Sequence, residues 1–171
     1  QSVGMLSSFD EPAVGRTLDR ASAALGQDIG SLIANGPAED LNLTVNTQPA
    51  MLVAGMAIYE AWRSAGGVRP ALVAGHSLGE YTALTAAEAL SLEDAVRLVR
   101  FRASAMQEAV PVGVGAMAAI IGLSDEDVSR ACVTAAEGQV VEPVNFNAPS
   151  QVVIAGHKAA VERACTAAKQ L

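Results

Sequence analysis

Apolar and polar residues alternate along this chain in blocks long enough to name its elements. Residues 1–10 are rich in glycine and serine and read as irregular. Pro12 opens a helical stretch to about Leu25, and Gly26 ends it. Ser31 to Ile33 is a short turn or helix, and Asn35-Gly36-Pro37 is a loop. A long helix is predicted from about Gln48 to Ala65, with Thr47 as its cap, Pro49 in its first turn and Gly66-Gly67 as its stop. Its apolar positions Leu52, Met56, Tyr59 and Trp62 follow the helical period and are assigned to the core. Pro70-Ala71-Leu72-Val73-Ala74 is an apolar run of strand length, and Glu80 to Ala87 is helix-forming. Ser91-Leu92-Glu93-Asp94 resembles a capping box and starts a helix to about Val110.

A composition shift follows, with Pro111, Gly113 and Gly115 forming a linker. Beyond it the pattern gives a strand over 116–122, a helix capped by Ser124 and running to about Glu137, strands over 140–145 and 151–155, and a helix over 158–171. The class is therefore α/β, with domains at residues 1–112 and 113–171. The β-α-β-β-α order of the second is a ferredoxin-like split βαβ that stops one strand short. In that topology the absent strand pairs beside the first, whose edge is left unprotected.

The junction between the apolar run at 70–74 and the helix after it carries the chemistry. Gly75-His76-Ser77-Leu78-Gly79 is G-x-S-x-G in a strand–turn–helix setting, the nucleophile elbow of a hydrolase-like parallel sheet. Ser77 must sit on a very tight turn so that its hydroxyl projects. Gly75 and Gly79 are expected to let the flanking elements close on that turn without Cβ clashes. A helix that starts at the serine aims free backbone N–H groups, and the positive end of its dipole, at any oxyanion formed there. The bland alternative is a Gly/Ser turn between two elements.

Arg102 is the second candidate. The residues three and four positions away are Leu98, Val99, Ala105 and Met106, which puts Arg102 on the apolar face of its helix. Arg97 and Arg100 lie off that stripe and read as solvated charges. An arginine aimed at a core is costly unless an anion meets it. It either snorkels to water, pairs with a structural carboxylate, or serves a ligand. Beside an elbow serine, its guanidinium fork suits a bidentate carboxylate substrate.

Composition narrows the field. Hydrophobic residues make up 51% and charged residues 17% of the 171, so a sizeable core is expected and disorder is not. A net charge of −7 argues against nucleic acid or an anionic membrane as a partner. The apolar run from Ala50 to Tyr59 is too short to span a bilayer, and no signal peptide is visible. Cys132 and Cys165 show no metal or redox spacing, which fits the reduced cytoplasm. His76 and His157 lack ligand spacing, so no metal is expected. The match of residues 113–118 to a dinucleotide fingerprint follows a helix and precedes a strand. That is the reverse of the required context, and it is discarded. The chain opens on Gln1 rather than Met, so it is expected to be part of a longer protein.

With the elbow and Arg102 in hand, the chain resembles the malonyl-CoA:acyl-carrier-protein transacylase family of type II fatty acid synthesis. The matching stretches are Gln1 to Met5, Thr47 to Ala50, Gly75 to Tyr81, Arg102 with Met106 to Pro111, Gly115 to Ile120, and Pro143 to Asn147. They run through the whole chain in family order. The resemblance implies a Ser77 acyl-enzyme that takes malonyl from CoA and passes it to the phosphopantetheine thiol of acyl carrier protein. Both steps are thioester exchanges, and the covalent intermediate implies ping-pong kinetics. It assigns the Leu78 backbone N–H to the oxyanion hole and Arg102 to the free carboxylate of malonate. It places Met117, Asn147 and Gln151 on the pocket or pantetheine side. No cofactor is implied, since the CoA thioester is a substrate.

The departures are specific. The family's Gly-Gln-Gly segment, which supplies the other oxyanion donor, is absent before Gln1. The family's catalytic histidine is expected beyond residue 171. His76 precedes Ser77 at the end of a strand, where neighbouring side chains point opposite ways, and His157 reads as a loop or helix-start residue, so neither is assigned as the base. Three alternatives stand beside the transacylase: an acyltransferase domain of a polyketide or multidomain fatty acid synthase, an ordinary esterase, and an inactive fragment that binds CoA or carrier protein.

Overall fold

The computed structural model describes residues 1–111 and 113–171. The chain divides into two compact units, Gln1–Glu108 and Ala109–Leu171. At this level the α/β class holds: the first unit is helical and the second is a sheet with helices on it.

The first unit carries α1 (Pro12–Leu25), α2 (Ile29–Asn35), α3 (Ala38–Leu41), α4 (Thr44–Ser64), α5 (Leu78–Ala86) and α6 (Leu92–Ala109), the last extending one residue past the division. Local signals explain most of the ends. Pro12 occupies the first turn of α1, and Gly26 closes it in the left-handed conformation at φ 64°. The Asp28 side chain accepts from Ser31 N–H at 2.8 Å, which turns the expected short segment into the seven-residue α2. Ser91 Oγ accepts from Asp94 N–H at 3.0 Å and donates to the Asp94 carboxylate at 2.8 Å, closing the predicted start of α6. Arg20 donates to both carboxylate oxygens of Glu93 at 2.8 and 3.0 Å, linking α1 to α6. These hydrogen bonds hold the Glu93 carboxyl below its ordinary range. The core is built from α1, α2, α4 and α6, with Ile29, Ile33, Leu52, Val53, Val96 and Val99 fully buried.

Three expectations for this unit are corrected. The long helix starts at Thr44, not at Gln48, because Thr47 does not cap it: its hydroxyl donates back to Leu41 C=O at 2.6 Å. Pro49 therefore lies inside α4, where it is buried in the core. Leu52 and Met56 are buried as expected, but Trp62 is 44% exposed. The buried stripe of α4 passes through Val53, Ala57 and Ala61, while the Trp62 indole lies over Gly67, where a Cβ would come within 2.3 Å of it. Finally, residues 70–74 form no strand. A strand exists only through ladder partners, and none pairs here among the described residues, so Leu72 is 91% exposed.

The second unit carries β1 (Gly115–Ile121), α7 (Asp125–Ala136), β2 (Val141–Ala148), β3 (Gln151–His157) and α8 (Lys158–Ala168). The sheet is antiparallel with order β1-β3-β2. Ser124 caps α7, accepting from Asp127 N–H at 3.1 Å. Ile120, Val141, Val152 and Ile154 point to the side covered by α7 and α8 and share a core with Val128, Ala131, Ala160 and Ala164. Small alanines on both helices let them sit close to the sheet. Arg163 on α8 donates to the terminal carbonyls of α7, Ala135 at 2.9 Å and Ala136 at 3.1 Å, and so ties the two helices together. Pro143 lies in β2, an edge strand, which can spare a ladder donor. Both cysteines are free, and burial pushes the Cys132 thiol up, as suits a packing group.

Candidate active site

The backbone of the elbow is set by sequence rules that act over five residues. Ser77 precedes α5 as its N-cap with φ 53° and ψ −114°, a conformation that L residues avoid. Gly79 N–H donates to His76 C=O at 2.9 Å and Glu80 N–H to Ser77 C=O at 3.2 Å, which closes the turn. Gly75 is required: a Cβ there would lie 2.0 Å from the carbonyl carbon and oxygen of Gly79. Gly79 is not required in the same sense. A Cβ built on it meets nothing within 4 Å, so the expectation that both glycines avoid clashes holds for Gly75 alone. Ser77 is exposed at the start of α5, and Leu78 supplies one of the helix's first amides, which have no intrahelical acceptor.

Arg102 reaches this serine. Its Nη2 donates to Ser77 Oγ at 2.9 Å, its Nη1 donates to Gln48 Oε1, and its guanidinium carbon stands 5.9 Å from the Tyr81 ring centroid. Three helices thus converge on one cation: α6 supplies it, α5 supplies Tyr81 and, at its N-cap, Ser77, and α4 supplies Gln48. The expected apolar surround is corrected. The buried stripe of α6 is Leu92, Ala95, Val96, Val99 and Ala103, whereas Leu98 and Met106 are 43% and 48% exposed. Arg102 sits at the margin of that stripe, half-buried, which lets it be held from one side and open on the other.

Arg100 is also corrected. It is half-buried rather than solvated, donates to Gln27 Oε1, and leaves a buried Nε without a partner among the described residues. Burial pushes its pKa below the ordinary arginine value. Sequence reasoning missed Gln48 as well. It is 8% exposed, and its position one turn before Leu52 on a buried stripe was the available signal for a polar group with a task.

The remaining sequence-predicted residues lie in the second unit. Met117 is central in β1 and Gln151 opens β3 opposite Ile121. Both project from the sheet face that α7 and α8 do not cover, since they alternate with the buried Ile120 and Val152. Asn147 falls in a register irregularity of β2 between Phe146 and Ala148. All three are exposed. His157 precedes α8 and accepts from Val140 N–H through Nδ1 at 3.0 Å. Among the described residues no cluster of histidine, cysteine and carboxylates has the makings of a metal site, and no helix is long and apolar enough to cross a membrane.

Residues 9–170 match the family described as acyl transferase domain. The chain belongs to that family. Among the relatives of this acyl transferase domain is the malonyl CoA-acyl carrier protein transacylase of Escherichia coli strain K12, 59% identical over 99% of the chain and 55% of the relative. The enzyme of the same name from Bacillus subtilis is 45% identical, again over 99% of the chain and 54% of the relative. Of solved structures, the acyl-carrier-protein S-malonyltransferase of Burkholderia pseudomallei 1710b superposes with a TM-score of 0.90 at 65% identity, covering 99% of this chain and 56% of that one. A malonyl-transacylase solved in complex with a type II polyketide synthase acyl-carrier protein gives 0.91 at 52% identity, with the same coverage. The acyl transferase domain here spans about half the length of the curated relatives it matches.

Proposed function

We propose that the protein carrying this chain moves a malonyl group from CoA to the phosphopantetheine thiol of acyl carrier protein, in the fatty acid biosynthesis of a bacterial cytoplasm. The observation that carries the reading is the 2.9 Å contact between a guanidinium and an elbow serine. An ester-forming hydroxyl needs no arginine beside it, but an acyl group that ends in a second, free carboxylate does. The names of the relatives support the same substrate.

In the first step Ser77 Oγ attacks the thioester carbonyl carbon. The C–O bond forms, the C–S bond breaks, and the serine proton ends on the departing CoA thiol. In the second step the carrier thiol attacks the serine ester, its proton returns to Ser77, and the malonyl thioester leaves. The Leu78 N–H stabilises the oxyanion in both steps, and Arg102 holds the far carboxylate. Met117, Asn147 and Gln151 line the pocket or its pantetheine side. No cofactor, nucleic acid or membrane takes part. Residues 1–112 are then part of a hydrolase-like acyltransferase core in which 70–74 joins a parallel sheet. The bare apolar surface of Leu72 supports this. Residues 113–171 are part of a ferredoxin-like subdomain, and the β1-β3-β2 order, with β1 at one edge of the sheet, supports that. A polyketide-type carrier is the second reading, favoured by the relative solved with such a carrier.

Intact-protein mass spectrometry after incubation with malonyl-CoA tests the reading. One malonyl increment is expected, and it should vanish in Ser77→Ala. Arg102→Ala should cut labelling by malonyl-CoA while improving relative use of acetyl-CoA. Equal loss with both thioesters would make Arg102 a structural residue.

A further inference from the structure

We infer that Gln48 is a positioning residue: it fixes the plane of the Arg102 guanidinium and so helps the site prefer an acyl group that ends in a carboxylate. This rests on the reading of Ser77 as nucleophile and Arg102 as carboxylate receptor.

Gln48 is 8% exposed, and a buried amide must have partners at both ends. Its Oε1 accepts from Arg102 Nη1, and its Nε2 donates to Met106 Sδ at 3.3 Å. Only one amide orientation does both. A flipped amide would set its NH2 against guanidinium N–H groups, donor against donor. The Met106 thioether has no proton to offer, so it accepts only from the nitrogen end. Met106 lies one turn beyond Arg102 on α6. The helix that carries the arginine therefore also carries the group that orients its clamp, and α4 contributes the bridge between them.

The chemistry of the clamp matters as much as its geometry. A bidentate carboxylate needs a guanidinium whose plane is fixed. Gln48 grips one nitrogen and Tyr81 faces the ion from the side. Because the gripping oxygen belongs to a neutral amide, the full positive charge remains for the substrate. A glutamate at the same place would hold the arginine equally well but neutralise it.

The test uses Gln48→Glu, Gln48→Leu and Met106→Leu in the full-length protein, with kcat and KM for malonyl-CoA and acetyl-CoA and the thermal midpoint of each variant. Gln48→Glu is expected to lower malonyl kcat/KM by about 10–100-fold, mainly through KM, with far less effect on acetyl-CoA. Gln48→Leu keeps the stem, removes the acceptor and should shift the malonyl-to-acetyl ratio the same way, with Met106→Leu following more weakly. If the first variant does not fold, the other two carry the test. An unchanged ratio in Gln48→Leu, or equal loss with both thioesters, overturns the inference. Arg102→Ala in the same assay keeps the two readings apart. If it leaves the ratio unchanged, the carboxylate-receptor reading is what fails. If it changes the ratio and the Gln48 variants do not, only the positioning role fails.

Discussion

Residues 70–74 and the strand β3 are alike on paper and unlike in the fold. Both are short apolar runs that lead toward a helix, α8 directly after β3 and α5 three residues after Ala74. In β3, Val152 and Ile154 are fully buried, with β1 and β2 paired on either side and two helices beneath. In 70–74, Leu72 is 91% exposed and no strand pairs with it among the described residues. An apolar run states that a segment is to be covered. It does not state by what, and a strand is made by its neighbours rather than by its own residues.

Truncating the two sites in the 171-residue chain should break the apparent likeness. Ile154→Ala is expected to cost about 2–5 kcal/mol in urea unfolding, through lost burial and the cavity left behind. Leu72→Ala should stay within about 0.5 kcal/mol, as exposed substitutions do. A cost above 2 kcal/mol for Leu72→Ala would mean that 70–74 is packed in solution, and the contrast would vanish.

A second test sharpens the comparison at the elbow that 70–74 leads into. Gly75→Ala forces a Cβ into the Gly79 backbone, so a loss of about 1–3 kcal/mol is expected, together with loss of the proposed Ser77 acylation. Gly79→Ala meets open space at a helical position. It should leave acylation intact and gain up to about 1 kcal/mol from helix propensity. Equal damage from both would show that the turn in solution is tighter than described.

The smallest effect belongs to the Arg20–Glu93 pair, which joins α1 to α6 in the same unit. The Glu93 carboxyl is held below its ordinary value by Arg20, so the stabilisation is complete above the normal carboxylate range. It is lost as pH falls through the lowered value. Both side chains are substantially exposed, so Arg20→Gln should cost about 0–1 kcal/mol at neutral pH and nothing once Glu93 is protonated. A cost that persists at low pH would assign the effect to the arginine stem instead.

What was legible in the sequence was what acts over a few residues. Gly26, Ser91 and Ser124 announced helix ends because a cap needs only its own turn. The turn at Ser77 was legible in Gly75, which its close backbone approach demands, but Gly79 carried no such information. The setting of Arg102 was read only in part. Ser77 lies 25 residues before it and Gln48 lies 54 before it, and their meeting depends on how α4, α5 and α6 pack. The sequence period put Arg102 inside an apolar stripe because Leu98 and Met106 are hydrophobic, yet both are half out of the core. Thr47 misled for a related reason: its hydroxyl had a carbonyl behind it as well as an amide ahead.

The Ser77 backbone carries a consequence for robustness. A left-handed, non-glycine residue costs on the order of 1–3 kcal/mol that the rest of the fold must offset. Glycine at that position would relax the turn and delete the hydroxyl in one change. With Ser77 as the proposed nucleophile, selection for a tougher protein and selection for an active one pull in opposite directions at this residue, and a thermostability screen without an activity readout would drift toward the variant that lacks the hydroxyl.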